Sequence, residues 1–138
     1  MTTPAPRRDR AGVLEFRHRM TASIREFFDS AGYLEVETPC LVPSTVPEEH
    51  VDLFRVEGGF LLAASPEPQM KRLLGEGLGR IYQICKAFRR GESGRWHNPE
   101  FTMLEWYRTG ARHLDLMDEI EALLGLLAGR AGRSAPAF

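Results

Sequence analysis

The strongest constraint on the fold comes from two apolar segments that flank a long polar loop. The first covers residues 81–88, and the second, which is rich in aromatic side chains, covers residues 101–107. The loop between them, RRGESGRWHNP, is rich in glycine, serine, asparagine and proline, which favour turns. Short apolar runs bounded by turn residues are typical of strands. The pattern therefore predicts two strands joined by a long loop.

The second strand is predicted to carry both acceptor and aromatic side chains on one face, because alternate residues of a strand share a face. That face would carry Phe101, Met103, Glu105 and Tyr107. Four basic residues lie on or next to the preceding loop: Lys86, Arg89, Arg90 and Arg95. This combination predicts a site for a ligand with both an anionic group and an amine. A solvated, charged turn is the alternative.

The order of the predicted elements indicates an α+β fold, in which an antiparallel sheet is flanked by helices. Residues 9–31 have the apolar spacing of a helix, and Gly32 is suited to end it. A strand over residues 33–38, a hairpin that turns at Gly58–Gly59 and a helix capped by Ser65 follow. A final helix covers residues 115–128. Because the strands follow one another through hairpins, a doubly wound parallel sheet is disfavoured.

Composition is that of an ordinary globular domain. The 138 residues carry a net charge of −1 and are 43% hydrophobic. They contain no apolar run of membrane-spanning length, and the first residues lack the apolar core of a signal peptide. The two cysteines have no metal-binding spacing, which predicts reduced thiols and a cytoplasmic location. We predict a flexible arm over residues 1–9, a folded region over 10–128 and a polar tail over 129–138.

Two segments resemble sequence motifs of the class II aminoacyl-tRNA synthetases, in their lysyl branch. GYLEVETP (residues 32–39) is similar to motif 1, and FRRGESGRWHNPEFTMLEWY (residues 88–107) is similar to motif 2. Within this branch, SPEPQMKRLL, GRIYQICKAFR and HNPEFTMLEWYR most resemble the lysine ligases that modify translation elongation factor P. The resemblance covers residues 10–127 and implies the N-terminal half of a class II catalytic domain.

The resemblance implies an ATP-dependent reaction on a lysine-type amino acid. The enzyme would convert lysine or (R)-β-lysine to its adenylate and then transfer the aminoacyl group to a lysine of elongation factor P. Mg²⁺ would accompany ATP, and the family's metal ligands are expected beyond residue 138. No tRNA substrate is expected, because too few residues precede motif 1 to form an anticodon-binding domain. Motif 1 also implies a homodimer.

The resemblance assigns the ATP site to motif 2. Arg89 is expected to be catalytic, because its planar fork suits both the α-phosphate of ATP and the carboxylate of the amino acid. The other expected ATP-binding residues are Glu92, Arg95, His97, Asn98 and Phe101. Arg95 and His97 would contact phosphates, and Phe101 would stack on the adenine. The family has glutamate where this chain has Gly91, so either Glu92 replaces that contact or the contact is lost.

The expected amino-acid-binding residues are Glu67, Glu105 and Tyr107, and no metal ligand is expected. Glu105 and Tyr107 would accept hydrogen bonds from the distal ammonium, and Glu67 from the nearer amino group. The alternatives are a salt bridge from Glu105 to a neighbouring arginine and a helix-dipole role for Glu67. A further group is interpreted as structural: Trp96, Trp106, Cys40 and Cys85.

The sequence departs from the synthetase pattern after motif 2. These residues contain no match to motif 3, the family's second source of an ATP-binding arginine. We therefore expect a chain that is truncated after motif 2 and inactive on its own. Two alternatives stay open: a fragment of a lysyl-tRNA synthetase, and a paralogue that only dimerises or binds nucleotide.

Overall fold

A computed structural model describes residues 9–45 and 48–134 of the chain. Its elements are α1 (Arg10–Ser30), β1 (Leu34–Glu35), β2 (Leu41–Val42), β3 (Leu61–Leu62), α2 (Glu67–Gly75), β4 (Arg80–Phe88), β5 (Glu100–Arg108) and α3 (His113–Arg130). The predicted α+β class is confirmed. The predicted arm (1–9) lies outside the described residues except for Asp9. The predicted tail (129–138) is described as far as residue 134, and its first two residues belong to α3. No helix in the described part of the chain has the length and apolar character that a bilayer crossing requires.

The described residues form two compact units, one containing α1 and α3 and the other spanning Gly32–Gly110. In the helical unit, α1 and α3 contact each other, and Arg130 Nη2 lies 3.0 Å from Glu26 Oε2. The carboxylate of Asp9 accepts a hydrogen bond from the Gly12 N–H and so caps the start of α1. Gly32 follows this helix with φ of 75°, the left-handed conformation expected of a residue that ends a helix.

The long hairpin of β4 and β5 dominates the second unit. The two strands pair antiparallel from Arg80 opposite Arg108 to Phe88 opposite Glu100, as the sequence predicts. β1 lies along the other edge of β4 and runs parallel to it, so the three-stranded sheet is mixed rather than purely antiparallel. A parallel neighbour requires a long connection, and here that connection contains β2, β3 and α2.

The turn predicted at Gly58–Gly59 forms, but the strand that follows it has a different main partner. Both glycines have positive φ, 86° and 83°, and the Val56 N–H donates to the Phe60 carbonyl at 2.8 Å. β3 pairs with β2 on one side, and on the other side it contacts the first arm of the turn through the bridge of Arg55 to Leu61 and the Leu62 N–H, which donates to the Phe54 carbonyl at 3.0 Å. The N–H of Ala63 extends the contact between β2 and β3 by donating to the Cys40 carbonyl at 2.8 Å.

The core of this unit contains buried side chains of β4. Ile81, Tyr82 and Ala87 are fully buried, and Met70 attaches α2 to the same core. Several predicted boundaries differ from the structure, among them the strand predicted over residues 33–38, which is limited to Leu34–Glu35. α2 begins at Glu67, one residue later than predicted, and α3 extends two residues beyond its predicted limit at each end. Helix ends depend on local hydrogen bonds that apolar spacing does not reveal.

Candidate active site

The carboxylate of Glu105 lies at the centre of a hydrogen-bonded group on the hairpin. The Tyr107 hydroxyl donates to Glu105 Oε1 at 2.5 Å, and the Ser65 hydroxyl donates to Oε2 at 2.8 Å. Glu105 and Tyr107 share a face of β5, as alternation predicts, and both side chains are half-buried. Both oxygens of the carboxylate are therefore held by hydroxyl groups, and no arginine pairs with Glu105 among the contacts of the described residues.

Ser65 links this carboxylate to the start of α2. Its hydroxyl oxygen also accepts a hydrogen bond from the Glu67 N–H at 3.1 Å. The same hydroxyl thus satisfies a backbone donor at the helix start and holds Glu105, which lies 40 residues away in the sequence. The sequence predicts Ser65 as the helix cap, but Pro66 occupies the cap position and makes no side-chain cap hydrogen bond, so Ser65 contacts the helix start from one residue earlier. The contact with Glu105 has no signal in the sequence.

Glu67 lies near this group, although its own carboxylate is paired. Lys71, one turn along α2, lies 2.5 Å from Glu67 Oε1. The charge of Glu67 also contributes to raising the pKa of Tyr107, which places the two side chains in one electrostatic environment. Both ends of the ion pair are partly exposed, so Lys71 is a weak competitor for an incoming ammonium.

Burial and the nearby acids keep two groups of this face neutral. Burial is the main cause that raises the pKa of Tyr107 far above its ordinary value, and the hydrogen bond to Glu105 raises it further. Burial, followed by the charge effects of Cys40 and Glu105, raises the pKa of the Cys85 thiol to about 11. Ionisation of the phenol or of the thiol thus requires a more alkaline pH than it would for an ordinary side chain, and both groups lie in the electrostatic environment of Glu105.

Arg89, at the loop end of the same hairpin, has a donor without a partner. Its Nε is buried and makes no hydrogen bond, although the guanidinium lies 5.3 Å from the ring centroid of Phe101. Nη1 lies 3.7 Å from Glu92 Oε1. Glu92 thus forms a long ion pair with Arg89, and its role toward ATP stays a prediction. A buried, unpartnered guanidinium N–H is a ready donor for a phosphate or carboxylate oxygen.

A cavity of about 210 Å³ gathers most of the residues expected to bind ATP. It is lined by Arg89, Glu92, Trp96, His97, Asn98 and Phe101. Arg95 does not line the cavity, and its guanidinium lies 4.8 Å from the ring centroid of Trp96. The structure therefore brings together five of the six expected residues and places Arg95 at the edge of the group.

Trp96 is the residue whose interpretation changes most. The sequence suggested a structural tryptophan, but its side chain is 80% exposed and lines the cavity. That interpretation is wrong, because a side chain so open to solvent contributes little to the core. The basic and polar neighbours of Trp96 in the loop were the only sequence signal that could have suggested this position.

The donor set suits a nucleotide better than a metal ion. Arginine and histidine side chains and a backbone rich in glycine suit phosphate oxygens. Within residues 9–45 and 48–134, no three histidine, cysteine, aspartate or glutamate side chains come together in a way that could hold a metal ion.

Comparison with known proteins identifies the family to which the chain is similar. Residues 5–135 match the family described as tRNA synthetases class II (D, K and N). An elongation factor P–(R)-β-lysine ligase of Vibrio cholerae is 50% identical over 128 residues, which are 85% of this chain and 40% of that protein. The enzyme of the same name from Photobacterium profundum is 49% identical over 123 residues, 83% of this chain and 38% of that protein.

The chain thus spans about two fifths of the length of these relatives, 38% and 40% respectively. The family match, by contrast, extends from residue 5 to residue 135 and includes every residue of the site described above. This chain therefore belongs to the class II tRNA synthetases of the D, K and N group.

Proposed function

We propose that these residues form the ATP and amino-acid sites of an enzyme that activates lysine or (R)-β-lysine and transfers it to a lysine of translation elongation factor P. The observation that carries the proposal is the placement of Arg89 at the loop end of one hairpin and of Glu105 further along the same hairpin, opposite Gln83. Phe101, beside Arg89, and Glu105 are four residues apart on one strand face, about 13 Å along the strand. This spacing suits a ligand that is anionic at one end and cationic at the other.

The amino-acid end supplies acceptors for an ammonium group. An ammonium has three donors and no acceptor, so it requires oxygen atoms around it. Glu105 retains lone pairs beyond its two hydroxyl contacts, and the Tyr107 oxygen can accept while its proton is held by Glu105. Glu67 would accept from the second amino group, exchanging its contact with Lys71. Carboxylate charge then distinguishes lysine-type substrates from neutral amino acids.

The nucleotide end supplies the charge needed for adenylation. A carboxylate oxygen of the amino acid attacks the α-phosphorus, a new O–P bond forms, and the bond to the leaving pyrophosphate breaks. Arg89 would hold both reacting groups and neutralise the developing charge, with its Nε as the unused donor. His97, Asn98, Glu92 and Arg95 would contact the nucleotide from the loop. Bound Mg²⁺ would add further charge neutralisation on the phosphates, and none of the described residues is assigned to hold it.

Elongation factor P is proposed as the acceptor because the similar enzymes carry that name. A lysine amine of the acceptor attacks the aminoacyl carbonyl, and an amide bond forms. The bond from the carbonyl carbon to the phosphate oxygen breaks, AMP leaves, and the amine nitrogen loses a proton. A cytoplasmic location belongs to the same proposal, since the acceptor is a translation factor.

Dimerisation through motif 1 and α1, the helix that precedes it, is part of the proposal as well. α1 exposes several apolar side chains in its first turns: Val13 (57%), Leu14 (60%) and Phe16 (43%). A cluster of this kind suits burial against another protein surface. The molar mass of the purified enzyme, measured by light scattering, tests this part.

The experiment measures lysine-dependent exchange of pyrophosphate into ATP, and then transfer to elongation factor P, in a protein of the relatives' full length that contains this chain. Glu105→Gln keeps the shape but removes the charge opposite the ammonium, which should lower kcat/KM for the amino acid by roughly 30- to 1,000-fold. Glu100→Gln is the matched control, because Glu100 is exposed and pairs with Lys86 at 2.8 Å. It should change kcat/KM by less than about threefold.

Three results would contradict the proposal. Preferential aminoacylation of lysine tRNA would assign the protein to the synthetases instead. Absence of amino-acid-dependent exchange would leave a protein that only binds nucleotide or self-associates. Unchanged lysine kinetics in the Glu105→Gln enzyme would remove Glu105 from the amino-acid site.

A further inference from the structure

We propose that Cys40, Cys85 and Met103 form a binding site for Cu(I), a soft monovalent metal ion. The two cysteines lie far apart in the sequence, without the spacing of a metal-binding motif. The fold brings Cys40 alongside β4, the strand that contains Cys85, and both thiols are free and half-buried. Met103 adds a thioether from β5. Because soft sulfur ligands select Cu(I) over harder ions, this group of side chains favours that metal.

The segment after β1 continues along β4 and carries Cys40 to the level of Cys85. The Thr38 hydroxyl donates to Gln83 Oε1 at 3.0 Å, in a buried contact. Two residues later, the Cys40 sulfur lies 3.8 Å from the carbonyl oxygen of Lys86, the residue that follows Cys85. The contacts therefore advance along the strand and place the two cysteines side by side. Cys40 also contributes to raising the pKa of Cys85, an effect that requires the two thiols to be close.

Met103 completes the group from the other strand of the hairpin. It lies directly opposite Cys85 in the antiparallel pairing of β4 and β5. Residues in this relation point to the same face of the sheet, with Cβ atoms about 4.5–5.5 Å apart. The methionine side chain is long and flexible, so its sulfur can adjust to an ion held by the two thiols. Three sulfur atoms from separate segments thus converge on the face that also carries Glu105.

The chemistry of these ligands excludes the harder metal ions. Mg²⁺ requires oxygen ligands, and structural Zn²⁺ sites are almost always built from four ligands. Among the residues that the structure describes, histidine, cysteine, aspartate and glutamate form no group of three that could hold a metal ion. Two thiolates and a thioether, by contrast, are the soft ligands that Cu(I) prefers. When the ion binds, each thiol gives up its proton and becomes a thiolate.

The experiment measures Cu(I) binding to the reduced 138-residue chain by anaerobic competition with a coloured Cu(I) chelator. The chain contains only these two cysteines, so no other thiol contributes to the signal. We expect one Cu(I) per chain. Cys40→Ser and Cys85→Ser should each weaken binding by about 100-fold or more, because even a residue that only orients a ligand is worth about 10- to 100-fold in metal affinity. Met103→Leu should weaken it by roughly 10-fold, since a thioether is a neutral ligand.

Met117→Leu is the matched control, because Met117 is an exposed methionine on α3. It should leave the Cu(I) affinity unchanged, and a loss equal to that of Met103→Leu would exclude Met103 from the site. Unchanged affinity in either cysteine variant would overturn the inference, because Cu(I) would then be held by a single thiol. Equal affinity of the native chain and of the chain in urea would also overturn it, since the site would not depend on the fold.

A second measurement uses the wild-type chain and so does not depend on the folding of any variant. One equivalent of Cu(I) should protect both Cys40 and Cys85 from alkylation, as read by mass spectrometry of the digested protein. Protection of only one cysteine, or of neither, would contradict a shared site. One equivalent of Zn²⁺ should give much weaker protection, and equal protection by Zn²⁺ would refute the preference for a soft ion.

Discussion

Replacing Ser65 by alanine removes one hydroxyl that makes two contacts of different kinds. The hydroxyl accepts from the Glu67 N–H at 3.1 Å and donates to Glu105 Oε2 at 2.8 Å. Loss of a side-chain cap at a helix start typically lowers the free energy of unfolding by about 1 kcal/mol. A hydrogen bond to a carboxylate is worth about 1.5–3 kcal/mol when buried, and partial exposure here reduces that to about 1 kcal/mol. We therefore expect Ser65→Ala to destabilise the protein by about 2 kcal/mol.

Urea unfolding followed by tryptophan fluorescence measures this difference. With a slope of about 2 kcal/mol/M, the midpoint of the Ser65→Ala variant should fall by about 1 M. Ser65→Thr keeps the hydroxyl and should lose less than half as much. Ser44→Ala, at an exposed loop serine, is the matched control and should leave the midpoint within about 0.2 M.

The two contacts can be separated by repeating the substitution in a Glu105→Gln background. A neutral amide accepts a weaker hydrogen bond than a carboxylate, so the effect of Ser65→Ala should shrink towards the capping contribution of about 1 kcal/mol. A midpoint for Ser65→Ala equal to that of the wild type would refute the reasoning. It would mean that water replaces the hydroxyl at both partners without loss.

Two further predictions concern Arg89 and Cys85. Arg89→Lys keeps the charge but loses the fork, so adenylation by a full-length enzyme should fall by about 100-fold or more, and retained activity would exclude the bidentate role. The melting temperature should barely move, because the lysine also removes the unpartnered Nε donor. In a Cys40→Ser variant at pH 8, native Cys85 should be alkylated by iodoacetamide more slowly than in urea, because burial and the charge of Glu105 still raise its pKa when the charge effect of Cys40 is removed. The difference should shrink as the pH rises towards 11, and equal rates at pH 8 would contradict the raised pKa.

The parts of this fold that were predictable from the sequence depend on local, repeating patterns. The spacing of apolar residues predicts α1, and alternation predicts that Glu105 and Tyr107 share a face of β5. The ion pair of Glu67 and Lys71 follows from their spacing of four residues on a helix. Each of these inferences requires only the geometry of a single element.

The features that sequence analysis missed are contacts between distant segments. The parallel pairing of β1 with β4 joins Leu34 to Ile81, and no local pattern specifies it. The hydrogen bond of Ser65 to Glu105 likewise crosses 40 residues. The interpretation of Trp96 was wrong for another reason. Tryptophan is usually well buried, but Trp96 lies in a loop and is exposed. The roles of the site residues toward ATP and lysine remain predictions.

The mixed sheet has a consequence for the order in which the chain folds. The pairing of β4 with β5 begins with Phe88 and Glu100, which are close in sequence. The pairing of β1 with β4 joins Leu34 to Ile81, which are much further apart in sequence. Because the entropy lost on closing a loop grows with its length, the hairpin should form first and β1 should join it later. Pulsed hydrogen exchange would report this as earlier protection of β4 and β5 amides. The hairpin that carries Arg89 and Glu105 would then be formed before β1 pairs with the edge of β4.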